Sequence, residues 1–308
     1  MGTPDFAVPA FKALHNHNVV GVFCQPDRPR GRSKKLMPCP VKEAALEMDI
    51  PVHQPKRIKA RKWVSLLREL EPDLVVVAAF GQILSQAVLD VPKIDCINIH
   101  ASLLPRWRGA SPIHHAILHG DARTGVGIMK MVLALDAGPV YAEADMPIPE
   151  TVGRLELEQK LADMGAELLL ETIPKLENLT PVPQAEEGLT YAPIIKRDFG
   201  FVDFQSQSAI DIERMTRAYE GWPQAQCLFR SNPAKLLEVE ALKENSEQPP
   251  GTIVRVTKKE LIIACTQGSL SLKTVQPAGK KPQPAAAFIN GYKPLEGECF
   301  TGVVINNS

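Results

Sequence analysis

The sequence predicts an α/β domain built on a parallel sheet, followed by a small β-barrel. Two patterns carry this. Through the first half of the chain, short β-branched runs alternate with helical patterns, as in a parallel sheet wrapped by helices. Beyond Leu176 the pattern changes to one helix and then short strands separated by turn residues. Length agrees: 308 residues exceed one ordinary compact core, so two domains are expected.

The elements follow in order. Gly2-Thr3-Pro4-Asp5 reads as a turn, and Pro9 opens a helix. Val19 to Phe23 reads as a strand and Val41 to Met48 as a helix. Trp63 to Leu70 is apolar at helical spacing, and Leu74 to Ala79 is a continuous apolar run. Cys96 to His100 is a strand candidate, Pro112 to Leu118 a helix, and Gly125 to Met131 and Val140 to Met146 are strands. Leu155, Leu161, Met164, Leu168 and Leu169 mark one face of a longer helix. These place a first domain at 1–177. Residues 178–203, rich in Pro, Gly, Thr and charge, read as a linker. The second domain, 204–308, opens with a helix over Ala209 to Ala218, stopped by Gly221-Trp222-Pro223. Strands are expected at Gln226 to Phe229, Leu236 to Leu242, Thr252 to Val256, Leu261 to Cys265 and Leu270 to Val275.

Composition narrows the function classes. The 35 basic and 35 acidic side chains cancel, so no global field draws in nucleic acid or membrane, and any polyanion contact must be local. No run approaches a membrane span, and the first residues do not form a signal peptide. The six cysteines are scattered without a Cys-x-x-Cys pair, which reads as reduced thiols in a cytoplasmic protein. His15, His17, His53 and His119 lack metal-ligand spacing, and the adjacent His114 and His115 diverge on a helix, so no metal is expected.

Chemistry points to Asn98 and His100. Residues two apart on a strand share a face, and two polar side chains on an apolar strand are costly to bury unless satisfied. Solvent exposure at a strand end is the plain reading. Ser102-Leu103-Leu104-Pro105 argues against it: two exposed-looking leucines ending at a proline suggest a rigid apolar ledge beside the polar pair. Asp136, in Leu135-Asp136-Ala137-Gly138-Pro139, would alone read as an Asx-turn. Beside an amide and an imidazole it becomes a candidate partner for His100. Amide, imidazole and carboxylate are what an acyl transfer needs: a polariser for the carbonyl oxygen, a proton carrier and an orienter or base. Cys96 is flanked by apolar residues and reads as a buried thiol, not a nucleophile. Arg30, Arg32, Lys34 and Lys35 crowd a proline-punctuated loop, and Lys280 and Lys281 make a second basic spot. Either can be solvated surface or phosphate-contacting.

Several blocks resemble the methionyl-tRNA formyltransferase family over nearly the whole chain. They are Gly2-Thr3-Pro4-Asp5-Phe6-Ala7, Gln25-Pro26-Asp27-Arg28-Pro29 with Gly31-Arg32, and Lys34-Lys35-Leu36 with Pro40-Val41-Lys42. Asn98 to Gly109, Gly221-Trp222-Pro223 and Val275 to Lys281 complete the set. The resemblance implies a Rossmann-like formyltransferase domain and a C-terminal OB-like barrel that helps hold tRNA. It implies transfer of a formyl group from 10-formyltetrahydrofolate to the amino group of methionyl initiator tRNA. Direct transfer requires no metal, and a monomer is expected. The family's catalytic residues fall on Asn98, His100 and Asp136, and its folate-binding stretch on Ser102, Leu103, Leu104 and Pro105. The expected mechanism has Asn98 and a protonated His100 stabilising the oxygen, with Asp136 holding the imidazole charged and accepting the amine proton through a water. Arg30, Arg32, Lys34, Lys35, Lys280 and Lys281 are the expected tRNA contacts. The family also carries a short apolar strand before the Gly-Thr-Pro turn, so the native start is expected upstream of Met1. Two alternatives stand beside this reading: a truncated, inactive tRNA-binding protein, or a formyltransferase acting on another amine.

Overall fold

The computed structural model describes residues 1–30 and 35–303. The chain forms two compact units. The first comprises Met1–Pro112, Ala122–Ile148 and Glu156–Pro193, and the second Ile113–Asp121, Pro149–Leu155 and Ile194–Ser308.

The first unit runs α1 (Val8–Ala13), β1 (Val22–Phe23), β2 (Arg28–Arg30), β3 (Lys35–Met37), α2 (Pro40–Glu47), β4 (Val52–His53), α3 (Arg61–Glu69), β5 (Leu74–Val77), α4 (Gln86–Leu89), β6 (Asp95–His100) and β7 (Arg108–Gly109). After α5 (Pro112–Leu118), most of which belongs to the second unit, come β8 (Arg123–Lys130), β9 (Val140–Pro147), α6 (Arg154–Thr172) and β10 (Tyr191–Ala192). Proline in the first turn of α1 and α2 sets the helical φ where no donor is needed. α3 buries Val64 and Leu67, and α6 buries Leu157, Leu161, Gly165 and Leu169, one face each. Phe23, Ile58, Leu67, Val75, Val77 and Phe80 belong to one core cluster.

The strand candidates fall where expected, and the sheet order adds what periodicity cannot. β1 pairs β4 in parallel and β5 pairs β6 in parallel. β8 and β9 continue the sheet antiparallel, in the order β5-β6-β8-β9. β9 alternates half-buried and exposed positions, as an edge strand should. Among the described residues no strand joins β1 to β5; only Met1 and Gly2 lie between them. Of the basic loop, which its prolines bar from a helix, the described residues Arg28–Arg30 and Lys35–Met37 pair antiparallel as β2 and β3.

The connecting stretch is tied to the first unit as far as Pro193. β10 pairs in parallel with β7, and Val182 bridges Val140.

The second unit contains α7 (Ala209–Ala218), β11 (Ala225–Phe229), β12 (Asn232–Leu242), β13 (Ile253–Val256), β14 (Leu261–Ala264), β15 (Ser269–Pro277), β16 (Gln283–Pro284), α8 (Ala285–Tyr292) and β17 (Phe300–Thr301). α7 starts at a capping box in which Ser208 and Asp211 satisfy each other's backbone donors. The antiparallel sheet runs β13-β14-β15-β12-β11-β17 and curls until Thr252 and Cys299 bridge its two ends. Phe229 stacks on Phe300 at 4.9 Å and meets Phe288 of α8 at 5.4 Å, which fills the curl. Helical spacing does not reveal α8, a short Ala-rich run directly after prolines.

Candidate active site

β6 delivers Asn98 and His100 to one face at the end of a fully buried strand. Side chains of 9% and 5% exposure rule out the solvent-facing alternative. Asn98 has no hydrogen-bond partner for its carboxamide among the described residues, a buried polar group left available to a ligand. His100 Nε2 donates to the Trp107 carbonyl at 3.0 Å, which leaves Nδ1 facing the Asp136 carboxylate at 3.9 Å. That gap is too long for a direct hydrogen bond and wide enough for a bridging group.

Electrostatics corrects one expectation. Burial pushes the His100 imidazole below its ordinary range, against the opposing pulls of Asp136 and the Trp107 carbonyl. The resting imidazole at neutral pH is therefore neutral, and Nδ1 is a base rather than a charged donor. Cys96 is buried, and its thiol is pushed up to about 12, which agrees with an inert side chain.

Asp136 sits at φ +45°, and its loop is held from two sides. Its Oδ2 accepts the Gly109 N–H at 2.8 Å, and its carbonyl accepts Gln184 Nε2 at 2.8 Å. Gln184 Nε2 also donates to the Gly138 carbonyl at 2.7 Å, while its Oε1 accepts Arg108 Nε at 2.9 Å. Thr190 Oγ1 accepts the Trp107 N–H at 2.9 Å. Gly109 is required here: its φ is +128°, and a Cβ would lie 2.5 Å from the Ala192 carbonyl oxygen. Gln184 and Thr190 give no signal in the sequence, because they lie in the stretch that composition marks as a linker, where an isolated Gln or Thr is unremarked.

The ledge differs from its expected form. Leu104 is buried and only Leu103 is half-exposed. Ser102 Oγ donates to the Arg106 carbonyl at 2.6 Å, and the Leu104 backbone donates to Glu143, whose carboxyl burial pushes up. Leu103 lies against Gly125 of β8, where a Cβ would come within 2.6 Å of it. Pro105 follows half-buried, so Ser102 to Pro105 form a braced segment beside the polar cluster.

The basic residues are placed less completely. Lys35 is exposed on β3, and Lys280 and Lys281 are exposed in the turn after β15. Arg32, Lys34 and the Arg30 side chain lie outside the described residues. No group of three or more His, Cys, Asp or Glu among the described residues is arranged to hold a metal ion. No helix there is long and apolar enough to cross a membrane.

A sheet whose strand end presents an amide, an imidazole and a carboxylate beside a braced apolar segment is the architecture of a formyl-group transferase. The formyl transferase family profile matches residues 2–173, and the profile of its C-terminal domain matches 194–293. Methionyl-tRNA formyltransferase of Pelobacter propionicus is 42% identical over 306 residues, covering 98% of this chain and 95% of the relative. That of Magnetococcus marinus is 44% identical over 302 residues, covering 97% and 96%. The chain belongs to the methionyl-tRNA formyltransferase family.

Solved structures show the same fold at lower identity. WlaRD, a sugar 3N-formyl transferase, matches with TM-score 0.65 at 16% identity, over 91% of this chain and 97% of that one. HypX from Aquifex aeolicus, solved with tetrahydrofolic acid, matches with TM-score 0.57 at 18% identity over 84% of this chain. The chain spans about half of HypX, 47%.

Proposed function

We propose that this protein formylates the α-amino group of methionyl initiator tRNA, with 10-formyltetrahydrofolate as donor. The observation that carries the reading is the meeting of Asn98, His100 and Asp136 at one strand end, in a chain whose relatives match over nearly its full length. The co-substrate supplies an activated formyl carbon. The unpartnered Asn98 carboxamide and the braced Ser102 to Pro105 segment fit it: the first offers an N–H donor, the second a fixed half-apolar surface.

Each residue then has one task. Asn98 donates to the formyl oxygen as it gains negative charge, a contribution of about 2.7–4 kcal/mol by analogy with oxyanion holes. The neutral Nδ1 of His100 takes the proton that the attacking amine releases and returns it to the folate nitrogen, which leaves as its bond to the formyl carbon breaks. Asp136 stabilises the imidazolium so formed, and the Trp107 carbonyl fixes the ring through Nε2. The β2–β3 segment and the Lys280-Lys281 turn supply positive charge for tRNA phosphates.

The test is transfer of a labelled formyl group to charged tRNA, with tRNA binding measured in parallel. Asn98→Ala, His100→Ala and Asp136→Ala should each abolish most transfer and leave binding nearly unchanged. Full activity in His100→Ala overturns the assignment. Formylation of a free amino sugar, and not of the tRNA, would favour a transferase acting on another amine.

A further inference from the structure

Cys24 and Cys39 lie on either side of β2 and β3 in the sequence and come together in the structure. Cys24 follows β1, and its N–H donates to the His53 carbonyl at 3.0 Å. Cys39 stands in extended backbone as the cap residue before α2. Thr3 holds the two segments side by side: its Oγ1 accepts the Gln25 N–H at 3.3 Å, and its carbonyl accepts the Val41 N–H at 3.5 Å. Three residues beyond each cysteine, Asp27 and Lys42 form an ion pair at 2.7 Å. Gln54 ties both segments again, donating to the Gln25 carbonyl at 2.9 Å and accepting from Lys42 Nζ at 2.9 Å. Within this brace the two thiols face each other.

The two sulfurs are not equivalent. Cys24 is fully buried, whereas Cys39 is partly exposed at the start of a helix. The neighbouring Cys39 thiol and burial push the Cys24 thiol up. The Cys24 thiol holds Cys39 down, at about 6, against burial and with the help of the Lys42 and Val41 N–H groups. A reactive, accessible thiol beside a protonated, buried one is the division between an attacking and a resolving cysteine. The other four cysteines lack it. Cys96, Cys227 and Cys265 are buried, and burial pushes each up to about 12. Cys299 is exposed, against the Thr252 hydroxyl and the Gly297 carbonyl.

We propose that Cys24 and Cys39 form a site of reversible oxidation by a hydroperoxide, with Cys39 as the attacking thiol and Cys24 as the resolving one. The Cys39 thiolate attacks a peroxide oxygen. The O–O bond breaks, and the displaced oxygen takes a proton and leaves as water or an alcohol. Cys39 is then a sulfenic acid. The Cys24 sulfur attacks it: the S–S bond forms, the S–O bond breaks, and the hydroxyl leaves as water with the Cys24 proton. The two thiols give up two electrons and the peroxide takes them. The new bond ties the end of β1 to the start of α2, and an external dithiol reverses it.

The test treats the 308-residue chain with equimolar hydrogen peroxide and digests it with trypsin without reductant. The whole protein should lose the mass of two hydrogens. The peptides Ala13–Arg30 and Leu36–Lys42, which trypsin separates, should be recovered joined, and dithiothreitol should part them. Cys39 should react at least about tenfold faster than the exposed Cys299. In Cys24→Ser, dimedone should trap a sulfenic acid on Cys39; in Cys39→Ser, Cys24 should stay unmodified. The joined peptides are read in the unaltered chain, so the outcome does not depend on either variant folding. Oxidation of Cys299 while Cys24 and Cys39 remain thiols overturns the proposal. So does further oxidation of Cys39 with no joined peptide, or a joined peptide found only at dimer mass. Neither cysteine belongs to the formyl-transfer site, so failure here is separable from failure of the assigned activity.

Discussion

The protonation state of His100 decides how the site works. Its imidazole is held neutral by burial, with Nε2 on a backbone carbonyl and Nδ1 free towards Asp136. A base is competent only when unprotonated, so kcat/KM should stay level as pH falls to 6.5, the ordinary value, and drop only below it. Asp136 raises this imidazole's affinity for protons. Asp136→Asn should therefore shift the acid limb to lower pH while lowering the plateau. An acid limb that stays in place in Asp136→Asn contradicts the pairing. Asn98→Ala should lose about 10²–10³-fold in kcat without that limb moving, because an amide does not titrate in this range. At this scale the sequence marks the residues by type and spacing, and the structure gathers His100 and Asp136. Asn98 and His100 stand two apart on an apolar strand, and only their burial removes the solvent-facing reading. What the sequence hid was the charge state, since burial arises from residues distant in sequence.

At the scale of elements, the loop bearing Asp136 depends on a segment that composition marks as a connection. Gln184 reaches across 48 residues to the Asp136 carbonyl and 46 to that of Gly138. Long-range bonds to backbone carbonyls leave no trace in local pattern, which is why Gln184 was invisible. Gln184→Glu keeps an acceptor for Arg108 but loses both amide donations. If those donations position Asp136, Gln184→Glu and Gln184→Ala should lower kcat alike, by about fivefold to tenfold for bonds of ~1 kcal/mol, with KM for the folate little changed. Activity restored in Gln184→Glu would show that only the Arg108 contact matters. The β2–β3 segment makes a separate claim. Replacing Arg30, Arg32, Lys34 and Lys35 by Ala should weaken tRNA binding and flatten its dependence on log salt, by roughly 0.7–0.9 for each phosphate no longer neutralised. An unchanged slope would make the segment ordinary solvated surface.

On the scale of the whole molecule, most elements were readable. α5 and α7 fall on the residues that helical spacing indicates, and the barrel strands fall between their turn residues. Strand direction was not, because alternation and burial look alike in parallel and antiparallel neighbours. β8 and β9 accordingly turned out antiparallel within a sheet whose other half is parallel. α8 was lost because eight residues of mainly Ala, Phe and Ile fit a strand or a helix equally until packing on Phe229 decides.

The measurement that bears most directly on the central claim is single-turnover transfer of a labelled formyl group from 10-formyltetrahydrofolate to methionyl initiator tRNA. It compares the unaltered protein with His100→Ala at saturating tRNA. The account predicts formyl-methionyl-tRNA as the product of the first. For the second it predicts a rate at least about 10²-fold lower with unchanged tRNA affinity. Equal rates in the two proteins, or tRNA bound by the unaltered protein with no formyl group transferred, would contradict it.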